Sequence, residues 1–278
     1  MQEKKKRTPY ISFSELKDWF HCPYYHKITR VDKEFPFKGN EFTVCGNAVH
    51  DVAEQIFILE HNCRGSSSEL DKVTRFKKAL VKGLKSLPKE HELKKELIKE
   101  LVEQCEGLLD LILPSVEKQF GKDFKVIQLE CKLAEPLAGQ MIQGEYDFLG
   151  FIDAVFQTAD GKYHIVDWKV TSWGWDQLKK SDKMTTYQLT LYKHFWSQKM
   201  SVDPAMIETY FALLKRTAKK DRVEIFRVTS GARKTQNALT LTEQAIYNIQ
   251  NEVYIKKRQN CDYCHLNFVK CRTGKKDG

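Results

Sequence analysis

One stretch of the chain restricts its local fold more than any other, because it reads as two β-strands joined by a tight turn. The run Gly150–Phe156 is rich in β-branched and aromatic residues, as is Tyr163–Val166, and Ala159-Asp160-Gly161 between them is a strong turn signal. If these three residues form the turn, the two residue numbers of each cross-strand pair sum to 320. Asp153 and Asp167 would then lie directly opposite each other.

The predicted hairpin brings charged groups together on one face of the sheet. Lys169 falls on the same face as Asp167, because side chains alternate along a strand. Two carboxylates directly opposite each other are destabilising, so a cation should lie between them, and a hard divalent ion such as Mg²⁺ prefers such oxygen ligands. Lys169 would orient or help to deprotonate a water molecule and offset negative charge in the transition state. The implied reaction is hydrolysis of a phosphodiester.

Other interpretations of these residues stay open at this point. The hairpin could be exposed, with an ordinary Asp–Lys ion pair across its strands, and a register slip of one residue would separate the aspartates. The triplet Glu130-Cys131-Lys132 has the same acid-x-lysine spacing on another β-prone run. It has no comparably placed aspartate on a preceding hairpin strand, so Asp167-Trp168-Lys169 is the favoured triplet.

The rest of the sequence predicts an α/β fold with a mixed central β-sheet flanked by helices and an N-terminal helical arm. Length and composition favour one domain over residues 1–278, with a helical insertion at 69–120 interrupted near Pro88. Helices are expected from Ser12 or Ser14 to about Cys22, around His50, at 182–200 and at Thr242–Lys257. Strands are expected at Phe124–Leu133, Gln143–Phe156, Tyr163–Val170, Met206–Leu214 and Val223–Val228.

The charge and hydropathy of the chain bear on its partners and its location. The net charge of +9 favours a polyanionic partner, but residues 1–8 and 270–278 carry +3 each, so the body is only mildly basic. No apolar run is long enough to span a bilayer, and the first residues lack the apolar segment of a signal peptide. We therefore expect a soluble protein of the cytoplasm, or of the host cytoplasm if it is viral.

Four short motifs, in order along residues 46–192, resemble those of the PD-(D/E)XK nucleases, specifically the RecB-type exonuclease family. They are Gly46-Asn47-Ala48-Val49-His50, Gly150-Phe151-Ile152-Asp153, Asp167-Trp168-Lys169 and Gln188-Leu189-Thr190-Leu191-Tyr192. The resemblance implies a restriction-endonuclease-like core and Mg²⁺ or Mn²⁺ held by His50, Asp153, Asp167 and the backbone carbonyl of Trp168. It also implies catalytic roles for Lys169, Gln188 and Tyr192, the last two positioning DNA and the lysine.

By this resemblance the chain would be an exonuclease that degrades DNA from an end in processing, recombination or repair, with a helicase or recombination protein as a partner. A structure-specific or RNA-directed endonuclease on the same fold is a further alternative.

Each motif also has a structural interpretation: a lone helical histidine is more often structural, and Gln188 with Tyr192 could be a surface pair one turn apart. The competing hypothesis from another class is a non-catalytic nucleic-acid-binding module. Trp168, Trp173 and Trp175 would favour single strands if they stack on unpaired bases.

The cysteines are unevenly distributed, and three of the eight, Cys261, Cys264 and Cys271, lie close to the end of the chain. The segment His21-Cys22-Pro23-Tyr24 is similar to the opening of the nuclease branch that contains the AddB nuclease domain and the CRISPR-associated nucleases. In that branch one cysteine precedes the fold and three follow it, which implies a 4Fe–4S cluster on Cys22, Cys261, Cys264 and Cys271. A zinc site on the same cysteines, with or without His265, and a metal-free remnant are the alternatives.

Overall fold

The structure is a computed structural model, and it describes residues 8–35, 38–62 and 70–263. The chain forms two compact units. Among the described residues, the large unit comprises 38–62, 70–133 and 150–238, and the small unit comprises 8–35, 134–149 and 239–263. In the described ranges the helices are α1 (Phe13–His21), α2 (Pro23–His26), α3 (Glu41–Asn62), α4 (Lys72–Lys85), α5 (Lys95–Leu109), α6 (Ile112–Phe120), α7 (Gln177–Ser181), α8 (Lys183–Met200) and α9 (Ala232–Gln250). The strands are β1 (Tyr10–Ser12), β2 (Lys125–Pro136), β3 (Asp147–Gln157), β4 (Tyr163–Thr171), β5 (Ile207–Lys215) and β6 (Val223–Val228).

The sheet of the large unit is mixed, as the sequence predicts. β3 and β4 pair antiparallel, β4 and β5 pair parallel, and β5 and β6 pair antiparallel, while β2 pairs with the other edge of β3. β4 and β5 are central and largely buried, which explains their nearly continuous apolar sequence. The predicted α/β class with a mixed sheet flanked by helices, and with helices at the N-terminal end, is confirmed.

The core of the large unit is built around α3. One face of this helix is fully buried, and Phe57 stacks on Trp168 of β4 with ring centroids 5.9 Å apart and planes 11° apart. The predicted helical insertion forms three helices, α4 to α6, and Pro88 lies between the first two. Phe76 and Leu101 of this insertion are buried in the same core as α3. The insertion therefore supports the helix that carries His50.

The small unit contains the first helix and most of the last one. Ser12 caps α1 by accepting a hydrogen bond from the amide of Glu15, and the helix ends at His21, before Cys22-Pro23, as predicted. The preceding strand β1, which the sequence analysis missed, pairs in parallel with the first residues of β3. A strand of three residues is too short to show an alternating pattern.

The predicted position of the last helix is wrong. The sequence predicts it at Thr242–Lys257, whereas α9 begins ten residues earlier and ends at Gln250. Its buried stripe starts with small residues, Ala238 and Thr242, and continues to Ala245 and Ile246, all with no exposed surface. Small and hydroxyl-bearing side chains contribute little to a hydropathy pattern, so the true start was not recognised.

Candidate active site

The β3–β4 hairpin has the predicted register. The ladder pairs Ala154 with Val166 and continues to Gln157 with Tyr163, so partner numbers sum to 320. In the turn, the amide of Thr158 donates to the carbonyl of Lys162 at 3.1 Å. Gly161 has a φ of +82°, which a residue without a Cβ adopts at little cost. Asp153 and Asp167 are the next residues beyond the Ala154–Val166 pair, so they lie next to each other at the end of this ladder.

The two aspartates are held by different donors. Asp153 Oδ2 accepts a hydrogen bond from the backbone amide of Trp168 at 2.7 Å, and its other oxygen lies 3.6 Å from Nδ1 of His50. Asp167, almost completely buried, lies with Oδ2 2.6 Å from the ammonium of Lys169. The structure thus brings His50, Asp153, Asp167 and Lys169 together within the large unit, on α3, β3 and β4.

Gln188 and Tyr192 of α8 join the same group. Gln188 Nε2 donates to Oδ1 of Asp167 at 2.8 Å and to the hydroxyl of Tyr192 at 3.2 Å. The two residues are therefore not an exposed surface pair, because Tyr192 is buried and Gln188 connects it to the carboxylate. The spacing of four residues places both side chains on the face of α8 that is directed at β4.

Burial and mutual charge change the acidity of these groups. Burial raises the pKa of Asp167 to about 6, against the attraction of Lys169 and with the help of repulsion from Asp153. For Lys169, burial disfavours the charged form, but the two aspartates outweigh it and raise the pKa above its ordinary value. The pKa of His50 is also raised, since the hydrogen bond and charge of Asp153 outweigh burial. The site therefore attracts positive charge.

The donor set fits a hard divalent cation by its chemistry. In the described part of the chain, no three histidine, cysteine or acidic side chains are arranged as a ready metal-binding group. Asp167 Oδ2 is buried and lies 2.6 Å from the ammonium of Lys169, and no other donor among the described residues binds it. The two carboxylates are oxygen ligands suited to Mg²⁺ or Mn²⁺.

A further acid, Glu130 of β2, faces this group, although the sequence favours the other acid-x-lysine triplet. Burial raises the pKa of Glu130, and the charges of Asp153 and Glu54 raise it further. Its φ of +46° is unusual for a residue with a Cβ inside a strand. The signal that could have identified Glu130 is the pairing of β2 with β3, and this pairing was not predicted.

The three tryptophans near the hairpin have different surroundings. Trp168 is buried against Phe57, so the hypothesis that it stacks on bases is wrong. Trp175 packs edge-on against the rings of Phe211 and Phe226. Trp173, by contrast, has 65% of its surface exposed.

Of the four cysteines assigned to a cluster, Cys264 and Cys271 lie outside the described residues. Cys22 and Cys261 belong to the small unit. The Sγ of Cys22 accepts a hydrogen bond from the amide of Lys257 at 3.4 Å and lies 3.8 Å from the carbonyl oxygen of Ile255. The segment that leads to Cys261 therefore contacts Cys22 directly.

Comparisons with known proteins give one family. The model of the PD-(D/E)XK nuclease superfamily matches residues 10–269, a range that contains every residue of the site described above. A solved structure, described as the crystal structure of SSO0001, is similar over 93% of this chain and 84% of that one, with 13% identity and a TM-score of 0.40. The comparison with curated proteins found no match. Among the described residues, no helix is long and apolar enough to cross a membrane.

Proposed function

Since this chain belongs to the PD-(D/E)XK nuclease superfamily, we propose that it is a metal-dependent deoxyribonuclease that hydrolyses phosphodiester bonds from a DNA end. The observation that carries the proposal is the arrangement of Asp153, Asp167 and Lys169, in which a buried carboxylate is bound by both Lys169 and Gln188. A purely structural hairpin has no need of a buried aspartate with three charged neighbours, because desolvation of each charge costs free energy.

In the proposed mechanism, His50, Asp153, Asp167 and the carbonyl of Trp168 would hold Mg²⁺ or Mn²⁺. A divalent ion bound there would supply positive charge that offsets the negative charge of the transition state. Lys169 directs its ammonium at the attacking water and at the phosphate, which its position beside Asp167 allows. Gln188 fixes the orientation of Asp167, and Tyr192 fixes Gln188. These last two are positioning residues for the carboxylate.

We further propose that Cys22, Cys261, Cys264 and Cys271 hold a 4Fe–4S cluster that joins the two ends of the chain, with zinc as the alternative. The contacts of Cys22 with the segment before Cys261 support this proposal. Thiolates alone suit both iron–sulfur clusters and zinc. Measurement of iron, acid-labile sulfide and zinc in protein purified without oxygen distinguishes them, and Cys261→Ser should lower whichever content is present.

The test of the nuclease itself is release of nucleotides from end-labelled linear DNA with Mg²⁺ or Mn²⁺. Lys169→Ala and Asp153→Ala should bind DNA but not cut it. Lys162→Ala, which removes a lysine at the turn end of the same hairpin, should cut like the wild type. Closed circular DNA of the same sequence should stay intact if cleavage begins at an end, and its cleavage would point to an endonuclease.

The alternative of a non-catalytic binding module makes the opposite prediction. It would leave Asp153 and Lys169 dispensable, so all variants would behave like the wild type in both binding and cleavage.

We also propose that the protein acts in recombination or repair in the cytoplasm, together with a helicase or recombination protein that delivers the DNA end. The test is whether a helicase or recombination protein copurifies with this protein from cells in which the DNA has been broken.

A further inference from the structure

Two exposed aromatic rings lie in the large unit, in the segments that lead away from the candidate active site. Trp173 follows the end of β4 and is 65% exposed, and Phe42, in the first turn of α3, is 49% exposed. Single exposed rings are common on protein surfaces, so what distinguishes these two is a shared neighbour. The ring of Phe42 and the segment that carries Trp173 both contact the same buried residue, Arg216, which follows β5.

Arg216 contacts one ring directly and the other through its neighbouring residues. Its guanidinium carbon lies 5.4 Å from the centre of the Phe42 ring, and it donates a hydrogen bond at 2.9 Å to the hydroxyl of Ser172, the residue before Trp173. Its backbone amide donates to the carbonyl of Thr171 at 2.8 Å. The loop that carries Trp173 is therefore held by backbone and side-chain hydrogen bonds. We call Phe42, Trp173 and Arg216 the aromatic surface.

The aromatic surface has a defined distance from the candidate metal ligands. His50, Gly46 and Phe42 are four residues apart on α3, so they follow one face of the helix. A Cβ built on Gly46 would lie 4.0 Å from Cβ of Val170, the residue after Lys169, so α3 follows β4 towards Trp173. Eight helical residues from His50 to Phe42 span about 12 Å, since each residue advances the helix by about 1.5 Å.

The surface also carries an uncompensated positive charge. Within the described residues, the side chain of Arg216 donates hydrogen bonds to neutral partners, Gln104 and Ser172, and no carboxylate pairs with it. A cation against the exposed ring of Phe42 suits a ligand that combines flat bases with a phosphate backbone. It does not suit an apolar peptide segment, which would leave that charge without a counter-ion.

We propose that the aromatic surface binds unpaired nucleobases of single-stranded DNA by stacking. The direction of the bound strand rests on the proposed nuclease function, because the strand would run from the aromatic surface to the candidate active site at His50 and Lys169. With about 3.4 Å of strand for each stacked nucleotide, about 12 Å corresponds to three or four nucleotides from the scissile phosphate. A DNA duplex keeps its bases stacked on each other, so the surface selects unpaired strands.

The experiment measures binding in the presence of a chelator, so that no cleavage occurs. Fluorescence anisotropy compares an oligothymidylate with a strand of equal length from which the bases are absent, which keeps the phosphates and removes stacking. The wild type should prefer the strand with bases. Trp173→Ala and Phe42→Ala should each weaken binding of that strand by about tenfold, the order of one lost base–aromatic stack, and should leave binding of the abasic strand unchanged.

Controls separate stacking from loss of structure. Trp173→Phe keeps a ring and should restore most of the preference for bases, and Tyr247→Ala removes an exposed aromatic residue of α9 and should not change it. If the wild type shows no preference for bases, or if Trp173→Ala and Phe42→Ala keep it, the proposal is wrong whether or not the protein cuts DNA. If the preference depends on both rings but no protein cleaves DNA, the aromatic surface stands and the proposed nuclease function fails.

Discussion

Replacing Gln188 by alanine should lower catalytic efficiency without unfolding the protein. The side-chain amide of Gln188 donates one hydrogen bond to the buried carboxylate of Asp167 and one to the hydroxyl of Tyr192. Its loss leaves Oδ1 of Asp167 without this donor, so the carboxylate is free to rotate away from its productive orientation. A hydrogen bond to a charged group contributes about 1.5–3 kcal/mol, which predicts a fall in kcat/KM of about 10- to 150-fold.

The hydroxyl of Tyr192 should matter less, and it should act through Gln188. Tyr192→Phe removes a hydrogen bond between neutral groups, worth about 0.5–1.5 kcal/mol, so kcat/KM should fall by about 2- to 10-fold. Once Gln188 is alanine, the hydroxyl of Tyr192 no longer has a side-chain amide to orient, so its removal should add little. The double variant should therefore be close to Gln188→Ala alone rather than show the product of the two single effects.

The assay is steady-state cleavage of end-labelled single-stranded DNA at saturating Mg²⁺, with thermal unfolding of each variant measured in parallel. Gln198→Ala, which removes an exposed glutamine of the same helix α8, serves as the matched control and should cleave like the wild type. Independent, multiplicative effects of Gln188→Ala and Tyr192→Phe would refute the reasoning. So would wild-type activity of Gln188→Ala, because Asp167 would then need no fixed orientation.

Three further changes test other parts of the structure. Glu130→Gln should raise the melting temperature measured in chelator at pH 7. Burial raises the pKa of Glu130, so the charged carboxylate lowers the stability of the folded protein as the pH rises. The difference in melting temperature between the variant and the wild type should vanish below about pH 4, where the glutamate of the unfolded chain is also protonated. Phe57→Ala should lower the free energy of unfolding by about 3–5 kcal/mol in urea denaturation, since it leaves a cavity in the core. Gly83→Ala should also destabilise in the same assay, by about 1–3 kcal/mol, because its Cβ would lie 2.4 Å from Cγ1 of Val44, and the added Val44→Ala should recover part of that loss.

The hairpin was predictable because two independent local signals fixed it. The turn at 159–161 set the register, and strand alternation then placed Lys169 on the face of Asp167. The register observed in the ladder follows from the same sum of residue numbers. Helix α3 was equally recognisable from its regular apolar stripe, so His50 could be placed on a helix before its contacts were known.

What could not be predicted depends on contacts between distant parts of the sequence. Glu130 approaches Asp153 only because β2 pairs with β3, and nothing local in β2 specifies that partner. The difference in exposure between Trp173 and Trp175 likewise depends on Phe211 and Phe226, which come from strands later in the chain. Sequence reasoning located the three tryptophans near the site but could not tell which one faces solvent.

Repulsion between two adjacent carboxylates predicts a cation close to them, and the sequence offers two candidates for it, a divalent metal ion and the ammonium of a lysine on the same hairpin. In the structure the ammonium of Lys169 lies 2.6 Å from Asp167, and backbone and amide donors from Trp168 and Gln188 bind the other oxygens. The same lysine that is proposed to serve the reaction therefore also stabilises the folded hairpin. Lys169→Ala leaves a buried carboxylate without its counter-ion, so loss of cleavage in this variant indicates a catalytic role only where its thermal unfolding stays close to that of the wild type.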